Sequence, residues 1–364
     1  MKKVLYIGWI GYRNLGDELM FDLFKQKASE LGNTYAIDVV NNEQHYLANA
    51  PLASYDLIVL GGGSVLSGPQ RLIDEYVIDA LLSSVSLGKK TMIWGSGIDW
   101  VPRSYIPALA NNDELFLPVS AGWKDKVREV FKACAWAGVR GPYTLSLLER
   151  LGVKHEHVEL SGDPAFLLMP DMSKVEKRGS LSGNQPIIGV NWGTTFNRLY
   201  GADELKVEDE LAQALQELLR QGYAVYFYLL WNADREATER LYARIRGSGT
   251  VVYDPTLYNQ NELMSLLQDF SFTINFKLHS NYLSLAAAVP FIALGYRFKV
   301  FDFAKSVELE DYVVPTDSEQ IKEHILTLEE QLASERTQIV EKMASHRNQY
   351  AKRISEPFEL GLFV

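Results

Sequence analysis

A chain of 364 residues exceeds the size at which a single hydrophobic core usually stops growing, so two domains of ordinary size are expected. Lys and Arg number 36 against 46 Asp and Glu, and the net charge of -10 argues against wholesale nucleic-acid binding or a broad anionic-membrane surface. Any anionic ligand must be held by local charge, and the single cysteine, Cys134, excludes an intramolecular disulfide framework and a cysteine-built zinc site while fitting a reducing cytoplasm. The first residues run from Lys2-Lys3 into a short apolar stretch and then into the charged segment around Arg13, Asp17 and Glu18. That stretch is too short for a secretory signal core and reads as a buried strand over residues 3–7. Further strands are expected at 36–40, 57–60, 91–94, 115–118 and 136–139, with helices at 18–31, 72–87 and 143–151. The pattern is lost from 169 to 186, where Ser, Gly, Lys and Pro dominate, and 171–186 is the expected linker. A second series follows, with strands at 187–191, 224–230, 250–253, 272–275 and 291–294 and helices at 204–221, 234–245, 261–267, 281–288 and 318–350. No span approaches the ~20 apolar residues of a transmembrane helix.

Strands that are apolar throughout, separated by helices, point to parallel sheets covered on both faces. The expected fold class is therefore α/β: two Rossmann-like doubly wound domains facing a cleft, at 1–170 and 187–330, with a C-terminal helix and tail at 331–364. Ligands of such sheets lie beyond the carboxyl ends of the strands. The distinctive residues of the sequence fall at those positions.

Phe276-Lys277-Leu278-His279-Ser280 stands where an apolar run ends and a small-residue helical run begins. A cation and a histidine two apart at a helix N-terminus make an anion site with a proton-transfer group beside it; otherwise Lys277 is a solvated strand end and His279 a capping or core histidine. In the first βα loop, Gly8 to Glu18, glycines allow close backbone approach, Asn14 offers an amide, and Asp17 and Glu18 suit the positive end of the following helix, either as caps or as ligand-directed carboxylates. The spacing of Gly8, Gly11 and Gly16 is not that of the dinucleotide fingerprint. Gly61-Gly62-Gly63-Ser64 and Gly95-Ser96-Gly97 each follow a strand and permit N–H groups to converge on an anion or a sugar hydroxyl, or simply make tight turns. Arg140 closes another strand, presenting a planar fork for carboxylate or phosphate, or a structural partner for a carboxylate of its own domain. His155 and His157 flank Glu156 in a loop and read as solvated side chains more readily than as a metal pair. Trp9, Tyr12, Trp94, Trp100 and Trp192 sit at strand ends or in loops, where aromatic faces stack on sugar rings or bases. A phosphate loop, a nucleophile elbow and a zinc-protease helix are absent from the sequence.

Taken in order, Asn14-Leu15-Gly16-Asp17-Glu18, Gly61-Gly62-Gly63, Val139 to Thr144, Ser161-Gly162-Asp163-Pro164-Ala165, Lys277-Leu278-His279-Ser280 and the block from Tyr296 to Val300 resemble the successive blocks of the polysaccharide pyruvyl transferase family. The resemblance implies a GT-B-like pair of Rossmann domains that transfers an enolpyruvyl unit from phosphoenolpyruvate to a sugar of a cell-surface polysaccharide or its lipid-linked precursor. The product is a pyruvate ketal and the by-product phosphate. It implies the acceptor on the N-terminal domain and the donor on the C-terminal one, with Lys277, Arg140 and Lys299 supplying positive charge and Arg13 a further candidate. His279 is the implied proton-transfer residue, with Asp17 or Glu18 orienting or deprotonating the hydroxyl. Asn14, Gly62, Gly63, Ser280 and Tyr296 complete the implied substrate contacts. Lys277 departs from the family arginine at its position. Neither a metal nor a cofactor beyond the donor substrate is implied, and the expected location is the cytoplasm or the inner membrane face. The particular sugar, its lipid attachment and the oligomeric state stay open, and a nucleotide-sugar glycosyltransferase of the same fold and a non-catalytic glycan-binding protein stand as alternatives.

Overall fold

The computed structural model describes residues 1–32, 35–69, 71–169 and 185–361, so all but the last two positions of the expected linker lie outside the described residues. The chain divides into two units, one made of Met1–Arg13, Asp17–Leu167 and Asn348–Val364, the other of Asn14–Gly16 and Leu168–Arg347.

The first unit contains β1 (Lys2–Gly8), α1 (Leu15–Glu30), β2 (Tyr35–Asn41), α2 (Gln44–Leu47), β3 (Leu57–Leu60), α3 (Glu75–Ser86), β4 (Lys90–Ser96), α4 (Tyr105–Ala110), α5 (Ala121–Ala133), β5 (Trp136–Val139), α6 (Pro142–Arg150) and β6 (Glu159–Leu160). Its sheet is parallel with order β2-β1-β3-β4-β5-β6. Strand order reverses beside β1, which places a topological switch point between the ends of β1 and β3. Every residue of β3 and β5 is buried, as strands covered on both faces must be.

The second unit contains β7 (Ile187–Asn191), α7 (Glu204–Arg220), β8 (Ala224–Phe227), α8 (Arg235–Ile245), β9 (Val251–Tyr253), α9 (Gln260–Leu267), β10 (Phe272–Asn275), α10 (Leu278–Ala286), β11 (Phe291–Gly295), α11 (Phe298–Ser306) and β12 (Val313–Pro315). The order is β12-β11-β10-β7-β8-β9, again parallel, with the switch point between β7 and β10. A final helix, α12 (Ile321–Glu359), belongs to the second unit up to Arg347 and to the first from Asn348 onward. Its last turns are fixed in the first unit's core: Trp94 Nε1 donates to the Ile354 carbonyl at 2.9 Å, Phe166 stacks on Tyr350 at 4.7 Å, and Phe358 packs edge-on to Trp94.

One expected strand is absent. Residues 115–118 carry no regular structure, and Phe116 is 83% exposed. The crossover from β4 to β5 is made by α4 and α5 instead, leaving no neighbour to satisfy that segment's backbone groups in a ladder. The strand expected to run to 230 stops at Phe227, although Tyr228, Leu229 and Leu230 stay buried. Helix α3 begins at Glu75 rather than 72 because the Asp74 carboxylate caps it, accepting from the Tyr76 N–H at 2.8 Å.

Candidate functional site

In the second unit the switch point is built from the ends of β7, β8, β10 and β11. Lys277 is the N-cap of α10 in extended conformation, which puts His279 and Ser280 in the first turn of that helix. The Lys277 N–H donates to Asn191 Oδ1 at 3.0 Å, and Ser280 Oγ donates to the Lys277 carbonyl at 2.6 Å. Ser280 is fully buried, its hydroxyl tied back to the N-cap residue. The Lys277 ammonium is 2.9 Å from Asp234 Oδ1, donates to the Thr194 carbonyl at 2.6 Å, and lies 5.3 Å from the Trp231 ring centroid. Its side chain is 14% exposed and that of Asp234 0%, so Lys277 is the cationic half of a buried ion pair and not a solvated strand end. Burial pushes the Asp234 carboxyl above the usual carboxylate range, opposed by the charge and hydrogen bond of Lys277 and by the Thr194 N–H. Gly193 is glycine for a local reason: a Cβ there would stand 2.2 Å from Asp234 Oδ1.

The loop after β7 is held by a second buried carboxylate. Glu204 accepts from Thr194 Oγ1 at 2.8 Å, Thr195 Oγ1 at 2.7 Å and the Asn197 N–H at 3.1 Å. These bonds support Phe196 and Asn197 in left-handed conformations. At the end of β11, Tyr296 is buried against Phe276 at 4.7 Å, and the Arg297 guanidinium and Lys299 ammonium lie 5.3 and 5.4 Å from its ring centroid. Lys299 therefore sits on the ring of Tyr296, which is itself packed into the core. His279 is 9% exposed, and a Cβ at Gly16 would fall 2.0 Å from its Nδ1, so this glycine is required by the imidazole.

In the first unit the residues named from the sequence gather at the ends of β1, β3, β4 and β5. The Asn14 amide oxygen accepts from the Gly16 N–H at 3.2 Å, making Asn14, which belongs to the second unit, the capping residue of α1, while Asp17 and Glu18 of the first unit lie in that helix's first turn. Glu18 Oε1 accepts from the N–H groups of Gly11 at 2.8 Å and Arg13 at 3.2 Å, so it holds the loop in which Gly11 and Arg13 have positive φ. Asp17 Oδ1 is 3.5 Å from where a Gly63 side chain would begin, which places this carboxylate against the three-glycine loop.

That loop is used differently from the sequence expectation. The Gly61 N–H donates to the Ile7 carbonyl at 2.8 Å and the Gly62 N–H to the Tyr6 hydroxyl at 3.2 Å. Two of its three N–H groups thus face inward, and Gly62 is glycine because a Cβ would stand 2.6 Å from Pro164 Cγ. Arg140 is sealed from solvent: it donates to Ser64 Oγ at 3.1 Å and to the Ile98 carbonyl at 2.7 Å, under Gly97. Its guanidinium ties the loops that follow β3 and β4 to the end of β5, and among the described residues its hydrogen bonds go to a hydroxyl and a carbonyl. Trp94 and Trp192 are also fully buried, which removes them as stacking platforms, whereas Trp9, Tyr12 and Trp100 keep exposure. Asp234, Glu204 and Asn191 were not singled out from sequence; the one signal for Asp234 was its place in a turn opening a helix. Among the described residues, no group of three or more His, Cys, Asp or Glu is arranged to hold a metal ion, and no helix is long and apolar enough to cross a membrane.

Two parallel, doubly wound units with polar residues gathered at each switch point define a protein of the GT-B-like class. The S. aureus MnaA–UDP co-structure aligns with a TM-score of 0.61 over 100% of this chain and 98% of its own, at 13% identity. The Anabaena Alr3699/HepE complex with UDP and glucose aligns at 0.57 over 100% and 99%, at 12% identity, and Neisseria meningitidis UDP-GlcNAc 2-epimerase bound to UDP-GlcNAc at 0.55 over 94% of each, at 12%. Identities this low establish the shared fold alone. No curated protein matches the sequence. The family model for polysaccharide pyruvyl transferase matches residues 14–297, and the chain belongs to that family.

Proposed function

We propose that the protein transfers an enolpyruvyl unit from phosphoenolpyruvate to a sugar of a cell-surface polysaccharide or its lipid-linked precursor, forming a pyruvate ketal across two hydroxyls. The observation that carries this reading is the family match over 14–297, which spans both switch points and includes Lys277 and His279 at the start of α10. In the reaction the methylene carbon of the donor gains a proton, the adjacent carbon gains bonds to two acceptor oxygens, and its bond to the phosphate oxygen breaks. Two hydroxyl protons are released, one appearing on the new methyl group and one on phosphate.

His279, in the first helical turn, is the proposed proton-transfer residue. The N-terminal end of α10, with Lys277 beside it, offers partial and full positive charge to the departing phosphate. Arg297 and Lys299, brought together on the Tyr296 ring, extend that positive field on an otherwise acidic chain. Asp17 is the proposed base or orienting group for the acceptor hydroxyl. Glu18 serves by fixing the loop, since its carboxylate is engaged by two N–H groups. The donor enters as a substrate, with no further cofactor in the scheme, and a soluble protein acting at the inner membrane face is the proposed setting.

The test is incubation with phosphoenolpyruvate and a panel of saccharides. Phosphate release coupled to the mass gain of a pyruvate ketal on the sugar is expected. Thermal stabilisation by uridine diphosphate and not by phosphoenolpyruvate, with no phosphate released, would replace this reading by nucleotide-sugar transfer.

A further inference from the structure

The first βα loop carries an aromatic pair that the donor chemistry does not use. The Trp9 and Tyr12 rings stack at 4.6 Å between centroids with planes 24° apart, and Tyr12 is 40% exposed. The pair is held rigidly: Tyr12 Oη donates to Glu43 Oε1 at 2.5 Å, Asn41 Nδ2 donates to the Ile10 carbonyl at 2.6 Å, and Glu18 fixes the loop N–H groups on either side of Tyr12. The bond to Glu43 pushes the pKa of the Tyr12 hydroxyl up to about 12. The Glu43 side chain is 39% exposed, and its second oxygen faces His45 at 3.8 Å, whose ring is 65% exposed. A stacked, part-exposed aromatic residue hydrogen-bonded to a part-exposed carboxylate, which also faces an imidazole, matches a pyranose. Its C–H face meets the ring while its hydroxyls donate to the carboxylate. Phe116, 83% exposed in the same unit, serves as the contrast.

We propose that the Trp9–Tyr12 pair with Glu43 is a saccharide subsite that holds a pyranose ring of the acceptor. The inference rests on the pyruvyl-transfer reading for the word acceptor, and on the geometry alone for the word saccharide.

The experiment titrates the full-length protein with the methyl pyranosides of galactose, glucose and mannose, following tryptophan fluorescence without donor, and separately measures the acceptor KM of the saccharide turned over with phosphoenolpyruvate. Quenching by at least one pyranoside, abolished in Trp9→Phe, is expected. Tyr12→Ala should weaken that binding and raise the acceptor KM by about tenfold, the scale of a lost stacking contact, with the donor KM held. Tyr12→Phe, which keeps the ring, should change either value less than about threefold, and Phe116→Ala should behave as wild type. If Tyr12→Ala does not fold, Tyr12→Leu, apolar and still bulky, takes its place with the same expectation. Absence of quenching by all three pyranosides, or wild-type affinity and acceptor KM in a folded Tyr12→Ala or Tyr12→Leu, overturns the subsite. Phosphate release by a variant with unaltered acceptor KM would sink the subsite and leave the reaction standing. Tyr12-dependent saccharide binding without phosphate release from phosphoenolpyruvate would do the reverse.

Discussion

Lys277→Met separates the structural and chemical roles of the cation at the head of α10. The substitution keeps side-chain length and removes the charge 2.9 Å from Asp234, a carboxylate with 0% exposure. Breaking a buried ion pair from one side strands the other charge, at a cost of about 3–5 kcal/mol. For a unit of this size that is a fall of roughly 10 °C in Tm, read by calorimetry or circular dichroism. The loss has a pH signature. The Asp234 carboxyl already stands above its unfolded value, because burial disfavours its charge. A carboxyl raised on folding contributes stability below its unfolded pKa and loses that contribution as pH rises through the folded one. Removing Lys277 takes away the opposing attraction and raises the carboxyl further, so the deficit relative to wild type should widen from mildly acidic toward neutral pH and narrow on acidification. Adding Asp234→Asn to Lys277→Met removes the stranded charge and should recover more than half of the lost stability. Catalysis should not follow: kcat/KM for phosphoenolpyruvate should stay about tenfold to a hundredfold down in both variants, the scale of a lost charged hydrogen bond. A Lys277→Met protein with wild-type Tm at neutral pH would refute the buried-pair reasoning. Recovery of donor kinetics together with stability in the double variant would reduce Lys277 to a structural ion.

Gly16→Ala places a methyl group 2.0 Å from His279 Nδ1, so the imidazole must move; kcat should fall by ~10²-fold through misplacement alone, and a variant with wild-type turnover would separate His279 from the chemistry. His279→Gln, which preserves side-chain bulk in a site only 9% exposed, should lower kcat by ~10²–10⁴ while a cooperative thermal transition is retained. Asp17→Asn should reduce turnover with stability within about 1 kcal/mol, because Asn14 supplies the capping bond to α1; unchanged turnover would make Asp17 a helix-end carboxylate and no more. Arg140→Leu should cost about 2–4 kcal/mol in chemical denaturation by stripping the Ile98 carbonyl and Ser64 hydroxyl of their buried donor. A change confined to donor KM, with stability unaltered, would instead make Arg140 a ligand residue.

Period and composition by themselves determined the α/β class and the parallel sheets, because strands such as β3, β8 and β11 are apolar at every position and are followed by helical patterns. The boundary at Lys277 was legible for the same reason: the apolar run of β10 ends in Asn275 and a small-residue helix begins at once, so a cation and a histidine had to lie at a helix N-terminus. Pattern says nothing about a residue's partner when that partner is distant in sequence. That Lys277 meets Asp234, that Arg140 lies beneath Gly97 and that Trp94 is pinned by Ile354 follow only from sheet order and packing, since parallel pairing brings together loops separated by whole crossovers. Residues 115–118 show the converse limit: three apolar residues closed by Pro118 need a neighbour to become a strand, and the order of the first sheet offers them none. Exposure, too, was a tertiary decision. Trp9 and Trp94 stand alike at strand ends in the sequence, yet one is half-buried with its ring stacked on Tyr12 while the other is closed over by the last turns of α12, because those turns carry the apolar side chains that pack against Trp94.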